Sequence, residues 1–240
     1  MPFIGSRDRL GPVVLSLGLV VAGLVGGSSA GAEPVVVAQD PGAGAISEHT
    51  CDGCEPPLEY QGGRVMDTTG ARGVTITPIF WAPDGYAFPD GYVALIEQYL
   101  VDIAADSGTT TNVYSLLSEY SVTDGQYEQE LEYKLSAGET IIDTNPYPES
   151  GCDTQDDFTD CITDDQLRDE LEALVASNGL ETDLANLYPV FFPEPVMTED
   201  LDGSNSVDGY CGYHRAFETN GGVLAYGNEP FLPDGCGMGQ

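Results

Sequence analysis

The chain predicts a mixed α/β (α+β) single domain, a mixed sheet flanked by helices, and three stretches predict it. Residues 73–81 (GVTITPIFW) alternate in polarity and are rich in β-branched side chains, the signature of a strand. Thr163 and Gln166 stand three apart at the head of a strongly patterned helix, the spacing of a capping box. Residues 187–192 (LYPVFF) form a continuous apolar run of buried-strand length, and 210–218 with 222–226 read as a β-hairpin behind it. The order strand, helices, strand, helix, strands, without an internal repeat, fits one core in a chain of 240 residues.

The elements follow in order. Pro78 lacks an N–H, so it is expected near an edge or at a bulge of the first strand, which 82–85 (APDG) ends. Asp90 is placed to cap a helix over 91–105, with Tyr92, Leu95, Ile96, Tyr99, Leu100 and Ile103 on one face. Residues 112–120 repeat that pattern more briefly. Residues 127–135 alternate: Tyr127, Gln129, Leu131, Tyr133 and Leu135 point one way and Glu128, Glu130, Glu132 and Lys134 the other, as in a half-exposed antiparallel strand. Residues 141–161 read as an acidic loop. After Thr163, Leu167, Leu171, Leu174 and Val175 form the buried stripe, and Asn178-Gly179 stops the helix.

Before this domain, Arg7 and Arg9, an apolar run over 13–25 and Ala30-Gly31-Ala32 have the layout of a signal peptide, 1–32. The apolar run is short and glycine-rich for a spanning helix, so export is favoured over anchoring. Residues 33–57 lack periodicity and read as a flexible segment, and 58–240 as the folded domain. Removal of Arg7, Asp8 and Arg9 with the leader moves the net charge from −33 to −34. Such a surface repels phosphates and anionic lipid, which excludes nucleic acid and, for the mature form, membrane as partners. Two readings of the acidity stay open: solubility in a salty medium, and divalent cation binding, for which calcium is the candidate.

Six cysteines in an exported chain read as three disulfides. Spacing suggests Cys152 with Cys161 and Cys211 with Cys236, leaving Cys51 and Cys54 as a C-x-x-C pair in a loop, where a local disulfide is favoured over redox or zinc chemistry.

No complete catalytic motif is present. Gly27-Ser28-Ser29-Ala30-Gly31 matches G-x-S-x-G inside the expected leader, without a preceding strand. Asp106-Ser107-Gly108-Thr109 resembles an aspartic-peptidase turn but follows a helix and has no partner loop, so a helix C-terminus explains it better. Residues 200–208 carry Asp200, Asp202 and Asp208 like a calcium loop, yet the register places Gly209 where an EF-hand needs its bidentate Glu. An exposed hairpin loop is the alternative. His214, in Cys211-Gly-Tyr-His-Arg215, is a weak metal candidate, because the chain shows no partners for it at ligand spacing.

The segments ITPIFWAPDG, VYSLLSEYS, ITDDQLRDEL, LYPVFFPEPV and YCGYHRAF come in the order seen in the EXORDIUM / phosphate-induced protein family. The chain resembles its secreted bacterial relatives over about Val74 to Cys236. The resemblance implies an extracellular, wall-associated protein and a zincin-like architecture. Many bacterial relatives continue past the position of Cys236 into a Ser-His-Glu helix resembling a zincin zinc motif, whereas this sequence reaches only Gly237-Met-Gly-Gln240. The resemblance therefore implies a truncated sequence and lends no catalytic residue. Two functions follow as expectations. One is the N-terminal part of a secreted zinc metallopeptidase-like protein acting on extracellular peptide, its zinc helix beyond Gln240. The other is a non-catalytic module binding cell-wall glycan or a surface partner through exposed aromatics such as Trp81, Tyr86 and Tyr92, residues for which a place in the core is the alternative.

Overall fold

The computed structural model describes residues 65–124, 127–155, 157–207 and 209–231, all within the unit Glu59–Gln240. The expected signal peptide, the segment 33–57, Cys51, Cys54, Asp208 and Cys236 lie outside the described residues.

In chain order the elements are β1 (Val74–Ile76), β2 (Ile79–Trp81), α1 (Tyr92–Ala105), a 3-10 segment (Val113–Glu119), β3 (Ser121–Asp124), β4 (Tyr127–Glu130), β5 (Leu135–Ala137), β6 (Ile141–Asp143), β7 (Asp160–Thr163), α2 (Asp164–Asn178), β8 (Asn186–Phe192), β9 (Val196–Glu199), β10 (Tyr213–Thr219) and β11 (Gly222–Pro230). The main sheet runs β10-β11-β8-β1-β5, with β2 continuing β1 beside β8 and β6 continuing β5 beside β2. Every pairing in it is parallel except β10 with β11. This is the mixed sheet flanked by helices that the sequence predicts.

The expected single strand over 73–81 is two strands, and proline explains the break. Ile76 pairs with Leu187 and Ile79 with Val190, so the register puts Pro78 opposite Pro189. Neither residue has an N–H to give, and the ladder is interrupted where the two meet. Central β8 is buried on both sides of its pleat from Tyr188 to Phe192, as a parallel strand covered on both faces must be.

One face of the sheet packs on α2. Thr163 Oγ1 accepts the N–H of Gln166 at 3.3 Å and the Gln166 side chain accepts that of Thr163 at 3.0 Å, completing the expected capping box. Leu167, Leu171, Leu174 and Val175 then meet Ile79, Trp81, Tyr188, Val190, Phe192, Leu224 and Tyr226. Burying each such side chain contributes about 1.5–3 kcal/mol. Gly179, in the left-handed region at φ 64°, ends the helix where expected. A two-stranded parallel sheet, β7 with β9, adjoins this layer. Strand β7 begins inside the expected acidic loop over 141–161.

The other face is covered by α1, the 3-10 segment and the β3–β4 hairpin, and here several expectations are corrected. Asp90 does not cap α1. Gly91 occupies the cap position at φ 81°, and no side chain bonds there. Only Leu100 and Ile103 of the expected stripe are buried, while Leu95 is 66% and Tyr99 45% exposed. The helix meets the sheet along β5 and through Tyr92 against Phe80 and Phe191, which leaves Leu95 and Tyr99 in solvent. Residues 113–119 form a 3-10 rather than an α-helix, capped by Asn112, whose Oδ1 accepts the N–H of Tyr114 at 3.0 Å. The expected strand over 127–135 ends at Glu130, because its partner β3 ends opposite it at Ser121. The alternation persists beyond: Tyr133 turns inward and its hydroxyl donates to Ile103 O at 2.6 Å. The expected loop 141–161 begins as strand β6.

Candidate functional site

The described residues hold three polar clusters and one large apolar cleft. The cleft lies on the sheet face opposite α2. Val74, Ile76, Leu187, Ala216 and Ala225 form its floor, Leu117, Leu131 and Tyr114 close it from the 3-10 segment and the hairpin side, and His214 stands at its margin. Its volume is about 740 Å³. The floor is flat because β10 and β11 present small residues there: Ala216 pairs with Ala225, and His214 with Gly227. A second cleft of about 640 Å³ is bordered by Arg72, Lys134, Glu132, Ser107 and Thr109.

Beyond the cleft floor on the same face lies Glu229. A Cβ at Gly227 would stand 2.9 Å from its Oε1 and one at Gly212 3.1 Å from its Oε2, so the carboxylate rests on two glycines. Burial pushes its pKa up from the usual 4.5 to about 7. The folded state therefore holds this proton more tightly than the unfolded chain does. Stability is unaffected below about pH 4.5, falls as pH rises through the window to 7, and carries the full penalty above it. Glu229→Gln is expected to melt higher than the wild type at about pH 8, by roughly 3 °C or more, and no higher at about pH 4. Thermal melts across that range check it.

The first polar cluster sits under the N-terminus of α2. Asp164 is buried, and its Oδ1 accepts the hydroxyls of Tyr213 at 2.6 Å and Tyr226 at 2.5 Å. Its Oδ2 lies 3.7 Å from Arg168. Burial, reinforced by this carboxylate, raises both tyrosine pKa values well above their usual 10. Asn228, wholly buried, and Tyr210 complete the group, and the Tyr210 hydroxyl lies 2.8 Å from Thr198 Oγ1. Asp164, Tyr226 and Asn228 are its buried heart, and the cluster joins α2 to the sheet.

The second cluster includes the residues expected as a calcium loop. Asp200 Oδ1 accepts the N–H groups of Asp202 at 2.9 Å and Ser204 at 3.0 Å. Arg215 Nη2 stands 3.8 Å from Asp200 and 3.9 Å from Asp202, so a guanidinium already faces both carboxylates. His214 neighbours Arg215 in β10 and therefore points to the opposite face. The structure thus brings Asp200 and Asp202 together and keeps His214 away from them. Among the described residues, no three His, Cys, Asp or Glu side chains converge as metal ligands do.

The third cluster closes the edge of the sheet. Asp143, at the end of β6, is 3% exposed. Asn145 donates its N–H to Asp143 Oδ1 at 2.9 Å and its Nδ2–H to Glu170 Oε1 at 2.7 Å. Burial is the main cause that raises the Asp143 pKa to about 6; the Asn145 N–H opposes it and the Glu170 carboxylate adds to it.

Two further expectations are settled by position. Trp81 is 1% exposed, with its Nε1–H donating to Asn145 O at 2.9 Å and its ring against Tyr147 and Phe192. It is a core residue, not a glycan platform. Tyr92 is half-buried among Phe80, Phe88, Phe191 and Phe231, and Tyr86 bonds to Asp160. Asp106 ends α1, accepting from Asn112 Nδ2 at 3.1 Å, which bears out the helix-terminus reading of DSGT. Cys152 and Cys161 are joined, with Cα atoms 5.1 Å apart, and Cys211 is disulfide-bonded.

Fold and site together define a disulfide-containing mixed α/β domain with an apolar cleft on one sheet face. Among the described residues, no helix is long and apolar enough to cross a membrane. No family model, no curated protein and no solved structure matches the chain.

Proposed function

We propose that this chain is an exported binding domain of EXORDIUM-like type, and that the cleft over β8, β10 and β11 takes a small, largely apolar ligand. The cleft itself is the observation that carries this reading. Its volume of about 740 Å³ falls in the range of ligand pockets, and its walls are mostly apolar, with Thr68, His214 and Arg215 as the polar residues among them. Contiguous apolar concavities of this kind are uncommon on a protein surface without a partner. The charge of −33 narrows the ligand further, to an uncharged or cationic molecule, because an anion would be repelled on approach. His214 at the margin supplies a hydrogen-bonding group for a polar end. Export rests on the leader-like residues 1–32 and agrees with the Cys152–Cys161 disulfide.

Titration with an uncharged fluorescent naphthylamine tests the reading. The expected result is saturable binding of one probe per chain that barely changes with salt, since burial of apolar surface drives it. Unsaturable fluorescence, or binding that disappears as salt rises, would contradict it.

A further inference from the structure

The Asp143 carboxylate is only half satisfied by the main chain around it. Its Oδ1 accepts from Asn145, but Oδ2 is buried and meets no hydrogen-bond donor. The group facing Asp143 from α2 is Glu170, a second carboxylate. Two ionised carboxylates offer only acceptors to one another, so the pair either shares a proton, as the Asp143–Glu170 side-chain hydrogen bond describes, or holds a cation between them. The described ion pairs belong to Arg168 and Arg215, and none reaches Asp143 or Glu170. Asn145 spans the pair, holding Asp143 with its main chain and Glu170 with its side chain. Asn145 itself is fixed from below by the indole N–H of Trp81. Both oxygen donors are thus held in place by the core, and the site opens to solvent through the exposed Asn145 and the partly exposed Glu170.

We propose that Asp143 and Glu170, bridged by Asn145, bind a divalent cation of the calcium class. Hard cations take carboxylate and carbonyl oxygens, and water fills the remaining positions of a site open on one side. Two carboxylates place the affinity in the weak range of extracellular modules, with Kd of about 10⁻⁴–10⁻³ M for calcium. The site is distinct from the Asp200–Asp208 loop, where Arg215 already faces the two described carboxylates.

The single tryptophan makes the test specific, because Trp81 lies one hydrogen bond from Asn145. Terbium, which takes the same oxygen ligands as calcium, is titrated into the full chain at neutral pH and its luminescence excited through tryptophan. The expected result is a saturable signal displaced by millimolar calcium, weakened about tenfold or more in Glu170→Gln and unchanged in Asp200→Asn. Circular dichroism verifies that Glu170→Gln is folded. Should that variant unfold, the wild type serves alone: calcium is expected to raise its melting temperature, and magnesium to do so less. Absence of tryptophan-sensitised signal, a signal equal in Glu170→Gln, or one that calcium does not displace would each overturn the proposal. The last two would show cations gathered by net charge only.

Discussion

Replacing Asp164 with alanine is expected to cost about 3–5 kcal/mol of folding free energy, the size associated with stripping one partner from a buried charged group. The reason lies in what remains behind. Tyr213 and Tyr226 both donate to Asp164 Oδ1, and Tyr226, on β11, is wholly enclosed in the core that α2 covers. Without the carboxylate the buried Tyr226 hydroxyl loses its acceptor, and Arg168 loses one of the two carboxylates that stand 3.7 Å away. Asp164 also occupies the first turn of α2, where a negative charge meets the positive end of the helix dipole. Asp164→Asn keeps an acceptor in place and is expected to cost less than half as much. Urea unfolding of the two variants measures the difference. Equal, small losses in both would mean that the cluster contributes little to joining α2 to the sheet.

Trp81→Ala is expected to lose about 3–5 kcal/mol, as removal of a large buried aromatic does. Trp81 packs against Tyr147 and Phe192 in the α2-facing core and ties down Asn145. A tryptophan serving as an exposed sugar platform would be lost at little cost to stability and with loss of glycan retention. The two accounts therefore part on one unfolding curve.

Where the signal is local, the fold was legible. The capping box, the stripe of Leu167, Leu171, Leu174 and Val175 and the stop at Gly179 all lie within one helix, and α2 follows them. Strand β8 was legible because a strand buried on both faces must be apolar throughout. The division of β1 from β2 was not, because it needs Pro78 and Pro189 to be opposite each other, a register that only the folded sheet sets. Strands β7 and β9 escaped for the same reason, since they pair with each other across more than thirty residues. The apolar face of α1 was legible as a pattern but not as a burial, since nothing in the periodicity says how much of it the sheet covers.

The site was less legible than the fold. His214 was singled out as a metal candidate and stands instead at the margin of an apolar cleft. The cleft draws its walls from residues 65 to 225, in segments with no common motif. Asp143 was one acid among 40 Asp and Glu, and only its burial beside Glu170 distinguishes it. A cue for the cleft floor was present: small residues at 216, 225 and 227 on a hairpin, where large ones are the rule in strands.

The most direct test of the cleft as a binding site compares two substitutions on one strand. Ala216 lines the cleft, while Glu218, two residues along β10, shares its face outside it. Both are exposed, so arginine at either position leaves the core intact. Naphthylamine titration of Ala216→Arg is expected to show binding weakened about tenfold or more, with Glu218→Arg close to the wild type. Equal affinity in all three proteins would contradict the account and move the apolar binding surface elsewhere on the molecule.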